Sequence, residues 1–342
     1  MVDGPEEPGL SALGSLASDQ IRLLTKVARM YHEHGVRQPQ IAQQLHISQP
    51  RVSRLLKRAV DLGIVRTTVV IPRGVHAEVE EKIEQTFGLS EVVIADSDEH
   101  ADEKQLQRAL GAAAAVYLET TLLGGERIGV SSWSSALLAT VESMNPKPHA
   151  VADKVVQMLG GFGNVTAQSL ASRITGGLAH LTGATPVYLP APGLLASSDM
   201  RQMIVTEPNI ESVLKACGDL TMALVGIGSI NPSPLLRESG NAFDENELPD
   251  LLAAGAVGDV CMRFFDERGS HLPTPLDERV LGIDAATLLR IPRRIGVAGG
   301  ARKHTAIKAA LLGGWVNVLI TDLQTAQWLS RPHAPTDQTE TP

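Results

Sequence analysis

Six polar residues within a stretch of ten have the chemistry needed to contact double-stranded DNA. The six are Gln49, Arg51, Ser53, Arg54, Lys57 and Arg58. The first three are candidates for reading base edges in a major groove, and the basic trio Arg54, Lys57 and Arg58 for contacting phosphates. Val52, Leu55, Leu56 and Ala59 recur between them at helical spacing. The pattern predicts one helix with a buried apolar face and an exposed polar face.

A second, shorter helix is predicted just before this one. Pro39 suits a first-turn position, and Ser48 is a suitable N-cap for the helix that follows. Two short helices joined by a tight turn, the second of them basic, indicate a helix-turn-helix. Gln38 and Ser48 complete the predicted set of DNA contacts. The alternative is an ordinary helical hairpin whose basic residues form a solvated face.

The charge distribution favours the DNA-binding interpretation. Residues 18–66 contain nine Lys or Arg and three acids, a net charge of +6, whereas the whole chain carries −8 and the remainder therefore −14. A basic module on an acidic body is typical of a DNA-binding head on a globular regulator.

Four glycine-containing turns each follow a predicted strand and lead towards a helix. They are 129–135, 160–164, 226–229 and 299–303. Such turns supply backbone N–H donors where parallel sheets bind ligands, although any single turn could need glycine for backbone reasons alone. Together they predict a ligand pocket. Its predicted contacts are Ser131, Ser132, Trp133, Ser134, Ser135, Gly160, Gly161, Gln168, Gly228, Asp259 and Lys303.

Three of these residues have alternative roles or a specific chemistry. Asp259 is a candidate acceptor for a sugar hydroxyl, or equally a loop acid that caps a helix. Trp133 could stack on a sugar ring or fill a gap between helix and sheet. Lys303 begins a helix where an anion would be stabilised. The histidines have no metal-ligand spacing, and we predict neither a metal nor a cofactor.

These residues must be positioned by a particular arrangement of elements. We predict a helix over residues 18–34, whose apolar face includes Leu24, Val27 and Tyr31, and a linking helix that ends near Gly88. Helices at 103–122, 167–181 and 303–312 then alternate with strands. The predicted strands are 91–95, 127–131, 155–159, 186–189, 221–226, 280–283, 294–298 and 316–321. Apolar strands separated by helices indicate an α/β domain with a doubly wound, mostly parallel sheet.

The predicted domains follow from these elements. Residues 1–17 form an arm, 18–72 the helix-turn-helix domain with a β wing at 64–72, and 73–90 a linker helix. Residues 91–330 form the effector domain and 331–342 a loose tail.

Composition restricts the class of protein. The chain of 342 residues is 43% hydrophobic and 20% charged, with no apolar run long enough for a transmembrane helix and no secretory signal pattern. Cys217 and Cys261 fit no metal spacing and are expected to be inert core thiols of a cytoplasmic protein. Aromatic residues make up only 3%, which argues against recognition of single strands by stacking.

The sequence resembles the SorC-type, central glycolytic gene regulator-like family of bacterial transcriptional regulators, over about residues 23–329. The head carries the resemblance in Ile41-Ala42, Ile47-Ser48 and 52–56. The body carries it in 189–192, 226–228, 255–259, Gly299-Gly300 with Lys303, and 319–322. The resemblance implies a sugar-binding domain like the glucosamine-6-phosphate deaminase/isomerase fold. It also implies homodimers or homotetramers, and effector contacts at Ser131–Ser135, Gln168, Asp259 and Lys303.

The chain departs from the family pattern in two places. The family loop often reads Gly-Val-Ser-Trp-Gly-x-Thr, whereas Ser132-Trp133-Ser134-Ser135 stands here. Members that bind a doubly phosphorylated sugar have an arginine where this chain has Leu159. Without that bidentate partner, a monophosphate or a neutral polyol fits at least as well as a bisphosphate.

We therefore expect a regulator of a carbohydrate or polyol catabolic operon, whose operator binding responds to a sugar, sugar phosphate or sugar alcohol. One alternative is a phosphosugar isomerase or deaminase with a DNA-binding head, but no spacing selects an acid/base pair. Another is a structural nucleoid-type protein, which the predicted pocket argues against.

Overall fold

The computed structural model describes residues 18–65, 76–98, 100–241 and 247–331. The chain divides into two compact units, residues 1–72 and 73–342. The predicted arm 1–17, most of the predicted wing 64–72 and nearly all of the tail lie outside the described residues.

The first unit contains three helices, α1 (Ser18–His32), α2 (Gln38–Gln44) and α3 (Gln49–Asp61). Val27, Ile41 and Val52, one from each helix, are fully buried in a common cluster. Tyr31 differs from prediction: it is 40% exposed and packs edge-on against His32 instead of the core. The three helices of the predicted head are otherwise present where the sequence predicts them.

The second unit is built on a seven-stranded parallel sheet. Its strands are β1 (Glu91–Ala95), β2 (Glu126–Val130), β3 (Ala152–Gln157), β4 (Thr185–Val187), β5 (Met222–Gly226), β9 (Arg293–Val297) and β10 (Val318–Asp322). They are ordered β1-β10-β9-β5-β2-β3-β4. Alternate residues of one strand enter two different cores: Ala223 and Val225 the first, Met222 and Leu224 the second. The sheet is therefore covered on both faces, as its apolar strands require.

Helices form the two covering layers. On one face pack α4 (Ala77–Phe87), α9 (Pro208–Cys217), α13 (His304–Leu312) and α14 (Leu323–Leu329). On the other pack α5 (Glu103–Thr121), α6 (Ser135–Ser143) and α7 (Val165–Thr182). Shorter helices are α8 (Ser198–Ile204), α10 (Pro234–Ser239), α11 (Leu248–Ala253) and α12 (Ala285–Arg290).

The two outer edges of the sheet are protected from further strand pairing in different ways. On the β1 side, α4 supplies two carboxylates: Glu84 accepts from the backbone N–H of Val92 at 2.8 Å, and Glu80 from that of Ile94 at 3.0 Å. On the opposite side, β4 has only three residues, and its central residue is Pro186.

A small antiparallel sheet, which the sequence did not predict, lies beyond β5. It consists of β6 (Gly228–Ser229), β7 (Gly258–Val260) and β8 (Arg263–Phe265). The predicted strand at 280–283 was wrong. That segment is buried, but it makes only isolated bridges, Val280 with Leu194 and Gly282 with Leu159. Its apolar character reflects burial in a loop, not membership of the sheet.

No helix among the described residues is both long enough and apolar enough to cross a membrane.

Candidate functional site

The exposed face of α3 carries all six polar residues that the sequence singled out. Gln49, Arg51, Ser53, Arg54, Lys57 and Arg58 are exposed. Arg54 donates from Nε to the carbonyl oxygen of Pro50 at 3.2 Å, which holds its guanidinium along the helix. Gln38, at the start of α2, is half-buried, and Ser48 is exposed at the N-cap of α3. The hydroxyl of Ser48 makes no capping hydrogen bond.

The position of α3 follows from its apolar face. Val52 is fully buried, Leu56 is 7% exposed, and both pack against the buried Ile41 of α2. The turn between the helices is tight: the backbone N–H of Ile47 donates to Ala42 at 3.0 Å, and His46 has a φ of 53°. Burial of one face thus fixes the other face towards solvent, as a recognition helix requires.

In the second unit, a cavity of about 180 Å³ lies beyond the carboxyl ends of β2, β5 and β9. We call it the effector cavity. β2 pairs with β3 on one side and with β5 on the other, so the chain reverses its direction of winding beside β2. Open parallel sheets bind ligands at such a switch point, because the loops there part to opposite faces. Among the predicted contacts, the lining includes Ser131, Trp133, Ser134, Ser135, Gly228, Asp259 and Lys303.

The serine loop after β2 is held by its own hydrogen bonds. Ser134 is the N-cap of α6 and accepts from the backbone N–H of Leu137 at 3.3 Å. Ser131 accepts from the backbone N–H of Gly226 at 3.4 Å, which joins the ends of β2 and β5. Ser135 is exposed at the start of α6. The loop therefore presents one exposed hydroxyl and a helix N-terminus to the cavity.

Asp259 and Lys303 form the charged part of the cavity. Asp259 is half-buried on β7, and one of its oxygens accepts from the backbone N–H of Met262 at 2.9 Å. Burial raises the pKa of Asp259 to about 6, although the Met262 N–H and the charge of Lys303 act in the opposite direction. Gly228 is required beside it, since a Cβ there would overlap the carboxylate.

Lys303 reaches the same region from the turn after β9. Its Nζ donates to the carbonyl oxygen of Ile227 at 2.8 Å. Burial lowers the pKa of Lys303, and the charge of Asp259 partly offsets this. An ammonium group has three donors, so two remain for a ligand oxygen. The pair supplies one acceptor and one cationic donor to anything that enters the cavity.

Four predicted contacts lie away from the cavity lining. Ser132 is fully buried and donates to the carbonyl oxygen of Leu159 at 2.6 Å. Gly160 packs against the backbone of Pro192, and Gly161 against the side chain of Gln157, so both are glycines because of close packing. Gln168 is half-buried on α7 and absent from the lining. The turn at 160–164 instead borders a separate, open depression that includes Phe162, Gly163 and Asn164.

Trp133 and Leu159 are buried side by side with apolar residues: Trp133 is 7% exposed and Leu159 is 3% exposed, and both pack in one apolar cluster with Met262 and Val280. Both also line the effector cavity. The indole Nε1 of Trp133 is buried and has no hydrogen-bond partner among the described residues. Trp133 thus packs among apolar side chains at the edge of the cavity, and its stacking on a sugar ring stays a prediction.

Sequence reasoning missed several lining residues, notably Glu103, Gln107, Arg237 and Arg302. Arg302 precedes Lys303 directly, and Glu103 with Gln107 lies in the first turns of the helix that follows β1. Arg237 lies on α10, after β5. For Arg302 the available signal was its position after the carboxyl end of a parallel strand, as for the serine loop. Glu103, Gln107 and Arg237 lie on helices and carry no such signal.

No group of three or more His, Cys, Asp or Glu that could hold a metal ion occurs in the part of the chain that the structure describes. Cys217 and Cys261 are both buried free thiols. Burial raises the pKa of Cys217 to about 12, and that of Cys261 is also raised, so neither is activated as a thiolate.

Comparison with known proteins agrees with both parts of this arrangement. Residues 74–330 match a family model described as "Putative sugar-binding domain", and residues 16–69 match a homeodomain-like domain. The sorbitol operon regulator of Klebsiella pneumoniae is 33% identical over 316 residues, which are 91% of this chain and 98% of the relative. The chain belongs to the SorC-type family of sugar-binding transcriptional regulators.

Other similarities extend over the same length. The crystal structure of full-length SorC from K. pneumoniae matches with a TM-score of 0.69 and 31% identity, covering 92% of this chain and 100% of SorC. The deoxyribonucleoside regulator of Bacillus subtilis is 33% identical over 90% of this chain and 97% of the relative. This SorC-type chain is thus a DNA-binding transcriptional regulator with a sugar-binding domain, and the predicted combination of helix-turn-helix and mostly parallel α/β domain is confirmed.

Proposed function

We propose that this regulator controls a carbohydrate or polyol catabolic operon by binding a small hydroxylated effector in the effector cavity. One observation carries the proposal: Lys303 and Asp259 line one cavity at the switch point of the sheet, on a chain that also bears an exposed basic recognition helix. A cationic donor beside an acceptor is the polarity that a sugar phosphate or polyol needs.

The proposed effector is a sugar monophosphate or a neutral polyol. Leu159, which stands in place of a family arginine, adds an apolar surface to the cavity, so a bisphosphate has no bidentate partner there. The names of two relatives refer to sorbitol, a polyol, and to deoxyribonucleosides, which contain a hydroxylated sugar. We infer the same broad class for this chain.

The proposed DNA contacts divide by chemistry. Gln49, Arg51 and Ser53 read base edges, whereas Arg54, Lys57 and Arg58 contact phosphates. Gln38 and Ser48 contribute near the starts of α2 and α3. A homodimer or homotetramer would present two heads to a roughly palindromic operator.

The proposed mechanism is a shift in population between two arrangements of the oligomer. An effector that prefers one arrangement by about tenfold to a hundredfold changes the equilibrium by about 1.4–2.7 kcal/mol. The spacing between heads then alters operator binding. We also propose that the protein works in the cytoplasm without turning over its ligand. Relatives that match over most of this chain are named as regulators, which supports regulation in preference to catalysis.

A thermal-shift screen against sorbitol, sorbitol 6-phosphate, 2-deoxyribose 5-phosphate and related compounds tests the effector class. Binding to the native state at a hundred times Kd stabilises by about 2.7 kcal/mol, so the melting temperature should rise with concentration. Lys303→Ala should abolish the shift given by phosphorylated compounds. The matched control is Lys82→Ala, an exposed lysine on α4. A folded protein that responds to none of these compounds would contradict the proposal.

A further inference from the structure

A second cavity, of about 220 Å³, lies beyond the carboxyl ends of β1, β9 and β10. We call it the side cavity. Ser97 and Asp98 line it after β1, Gly300 after β9, and Asp322 at the end of β10. It shares four lining residues with the effector cavity, namely Glu103, Gln107, Arg302 and Lys303. The two cavities are therefore neighbours with a common wall.

The wall between them is held by a weak contact. Arg302 and Glu103 form an ion pair at 2.8 Å, but their side chains are 78% and 56% exposed. Exposed pairs of this kind contribute little, because water solvates both charges well when they separate. A ligand that binds Arg302 in place of Glu103 can therefore break this ion pair and join the two cavities at a small cost in free energy. The two cavities together measure about 400 Å³, which falls within the usual range of about 300–1,000 Å³ for ligand sites.

Gln107 lies behind this ion pair, one helical turn after Glu103 on α5. Its side-chain Oε1 is buried and has no hydrogen-bond partner within the described ranges. A buried acceptor without a donor is costly, and such groups mark places where a ligand supplies the missing partner. Since Gln107 lines both cavities, a hydroxyl that passes from one to the other would come within its reach.

The two cavities differ in charge outside their shared wall. The effector cavity has Arg237 and Asp259 of its own, whereas the side cavity has Asp98 and Asp322. Asp322 already accepts from the backbone N–H groups of Gly300 and Thr325 and from the hydroxyl of Thr325. The side cavity is therefore unfavourable for a phosphate and suited to hydroxyl groups, which can donate to acidic or carbonyl oxygens.

We propose that the effector is an extended polyol phosphate that reaches from Lys303, past Gln107, into the side cavity. Its phosphate lies near Lys303 and Arg237, and one hydroxyl in its chain donates to Oε1 of Gln107. Gln107 then acts as a specificity residue that distinguishes long from short polyol phosphates. This inference rests on the proposed function, since it takes the effector cavity as the place where the ligand binds.

The test is isothermal titration calorimetry on the full chain with three probes: sorbitol 6-phosphate, erythritol 4-phosphate and inorganic phosphate. Wild type should bind the six-carbon probe more tightly than the four-carbon one. Gln107→Met, which keeps the side-chain length and helix preference, should weaken binding of sorbitol 6-phosphate about tenfold, as expected for one lost buried hydrogen bond. Binding of inorganic phosphate should not change. The control is Gln202→Met, an exposed glutamine on α8 that lines neither cavity.

Four other results would overturn the role of Gln107, the extended binding mode or the proposed function itself. Equal weakening of all three probes by Gln107→Met, with an unchanged melting temperature, overturns the specificity role of Gln107. So does binding of sorbitol 6-phosphate that the substitution leaves unaltered. If the thermal-shift screen finds 2-deoxyribose 5-phosphate or another ring-form sugar phosphate while wild type binds neither polyol phosphate, the proposed function stands and this inference fails. If a folded wild type binds no sugar phosphate and no polyol at all, both fail.

Discussion

At the scale of single residues, Asp259 is under three constraints at once. It lies opposite Gly228 in the small sheet, its carboxylate holds the N–H of Met262, and it faces the effector cavity. The Met262 bond also supports a two-residue turn, in which Cys261 and Met262 have φ values of 53° and 60°. Non-glycine residues rarely adopt positive φ, so the carboxylate contributes to holding a strained turn beneath the cavity.

Asp259→Asn should change how stability depends on pH. The pKa of Asp259 in the folded protein is raised from 3.8 to about 6. The stability that its protonated form contributes is therefore fully present below about pH 4 and is lost as the pH rises through about 6. Asparagine keeps an acceptor for Met262 but does not titrate. Between pH 4.5 and 7 the free energy of unfolding of the variant should therefore rise relative to that of wild type by about 1–2 kcal/mol. This is less than the full pKa shift implies, because Asp259 is only half-buried.

Urea denaturation at a series of pH values measures this difference. Asp153→Asn, at an exposed position on β3, reports the effect of the substitution itself. If the difference in free energy of unfolding between Asp259→Asn and wild type stays constant from pH 4.5 to 7, burial does not raise the pKa of Asp259 and the explanation is wrong.

Most of the site that could be predicted from sequence consists of residues that follow a strand within a glycine-containing turn. That signal located Ser131, Ser135, Gly228 and Lys303 at the cavity. It failed for Gly160 and Gly161, because close packing also demands glycine. It could not find Gln107, since a glutamine on an amphipathic helix has no distinguishing pattern until the folded sheet brings β1 beside β10, which in turn pairs with β9.

At the scale of elements, α4 and β1 are joined by backbone chemistry as well as by apolar packing. Glu80 and Glu84 lie one turn apart and reach alternate residues of the outermost strand. Ile83 between them is fully buried. A helix spacing of four residues thus matches a strand spacing of two, because one helical turn and two strand residues have similar lengths.

Removal of either carboxylate should release a specific backbone amide. Glu84→Ala should speed hydrogen exchange at Val92, and Glu80→Ala at Ile94, each by at least about tenfold, since a hydrogen bond to a charged group contributes about 1.5–3 kcal/mol. Site-resolved exchange by NMR gives the measurement.

Glu81→Ala is the matched control, because Glu81 is exposed and its carboxylate accepts from Gln85 on its own helix. Exchange at Val92 and Ile94 that remained slow in both test variants would show that the carboxylates do not protect these amides.

Seven strands of the parallel sheet were predictable because each is an apolar run between helices. The small sheet was not, since β6, β7 and β8 have only two or three residues and show no period. The segment 280–283 was wrongly predicted as a strand, because Val280, Leu281 and Ile283 are almost fully buried although they do not join the sheet. Hydrophobicity reports burial, and only length and context separate a strand from a buried loop.

At the scale of the whole molecule, charge is divided between the two units. The +6 of residues 18–66 contrasts with −14 elsewhere. The acidic body discourages non-specific contact with DNA outside the head, and the basic head favours association with it. Operator binding should accordingly depend steeply on salt.

Two substitutions on α3 should separate the phosphate and base contributions to that binding. Lys57→Ala should reduce the slope of log K against log[salt] by about one for each bound head, with little change in sequence preference. Gln49→Ala should relax preference at one base pair and leave the slope unchanged. Fluorescence anisotropy at several salt concentrations, with operator and scrambled DNA, provides both values. The assignment of roles fails if the two variants change slope and preference alike.

The closed edges of the parallel sheet have a further consequence for the proposed homo-oligomer. An oligomer holds several such sheets at high local concentration, where an open strand edge would template intermolecular pairing and aggregation. Here the carboxylates of α4 occupy the amides of β1, and the short β4 has Pro186, which lacks an N–H, at its centre. Neither described edge offers a continuous row of free backbone groups, so we expect the proposed oligomer to form through side-chain surfaces and not through strand pairing of the amyloid kind.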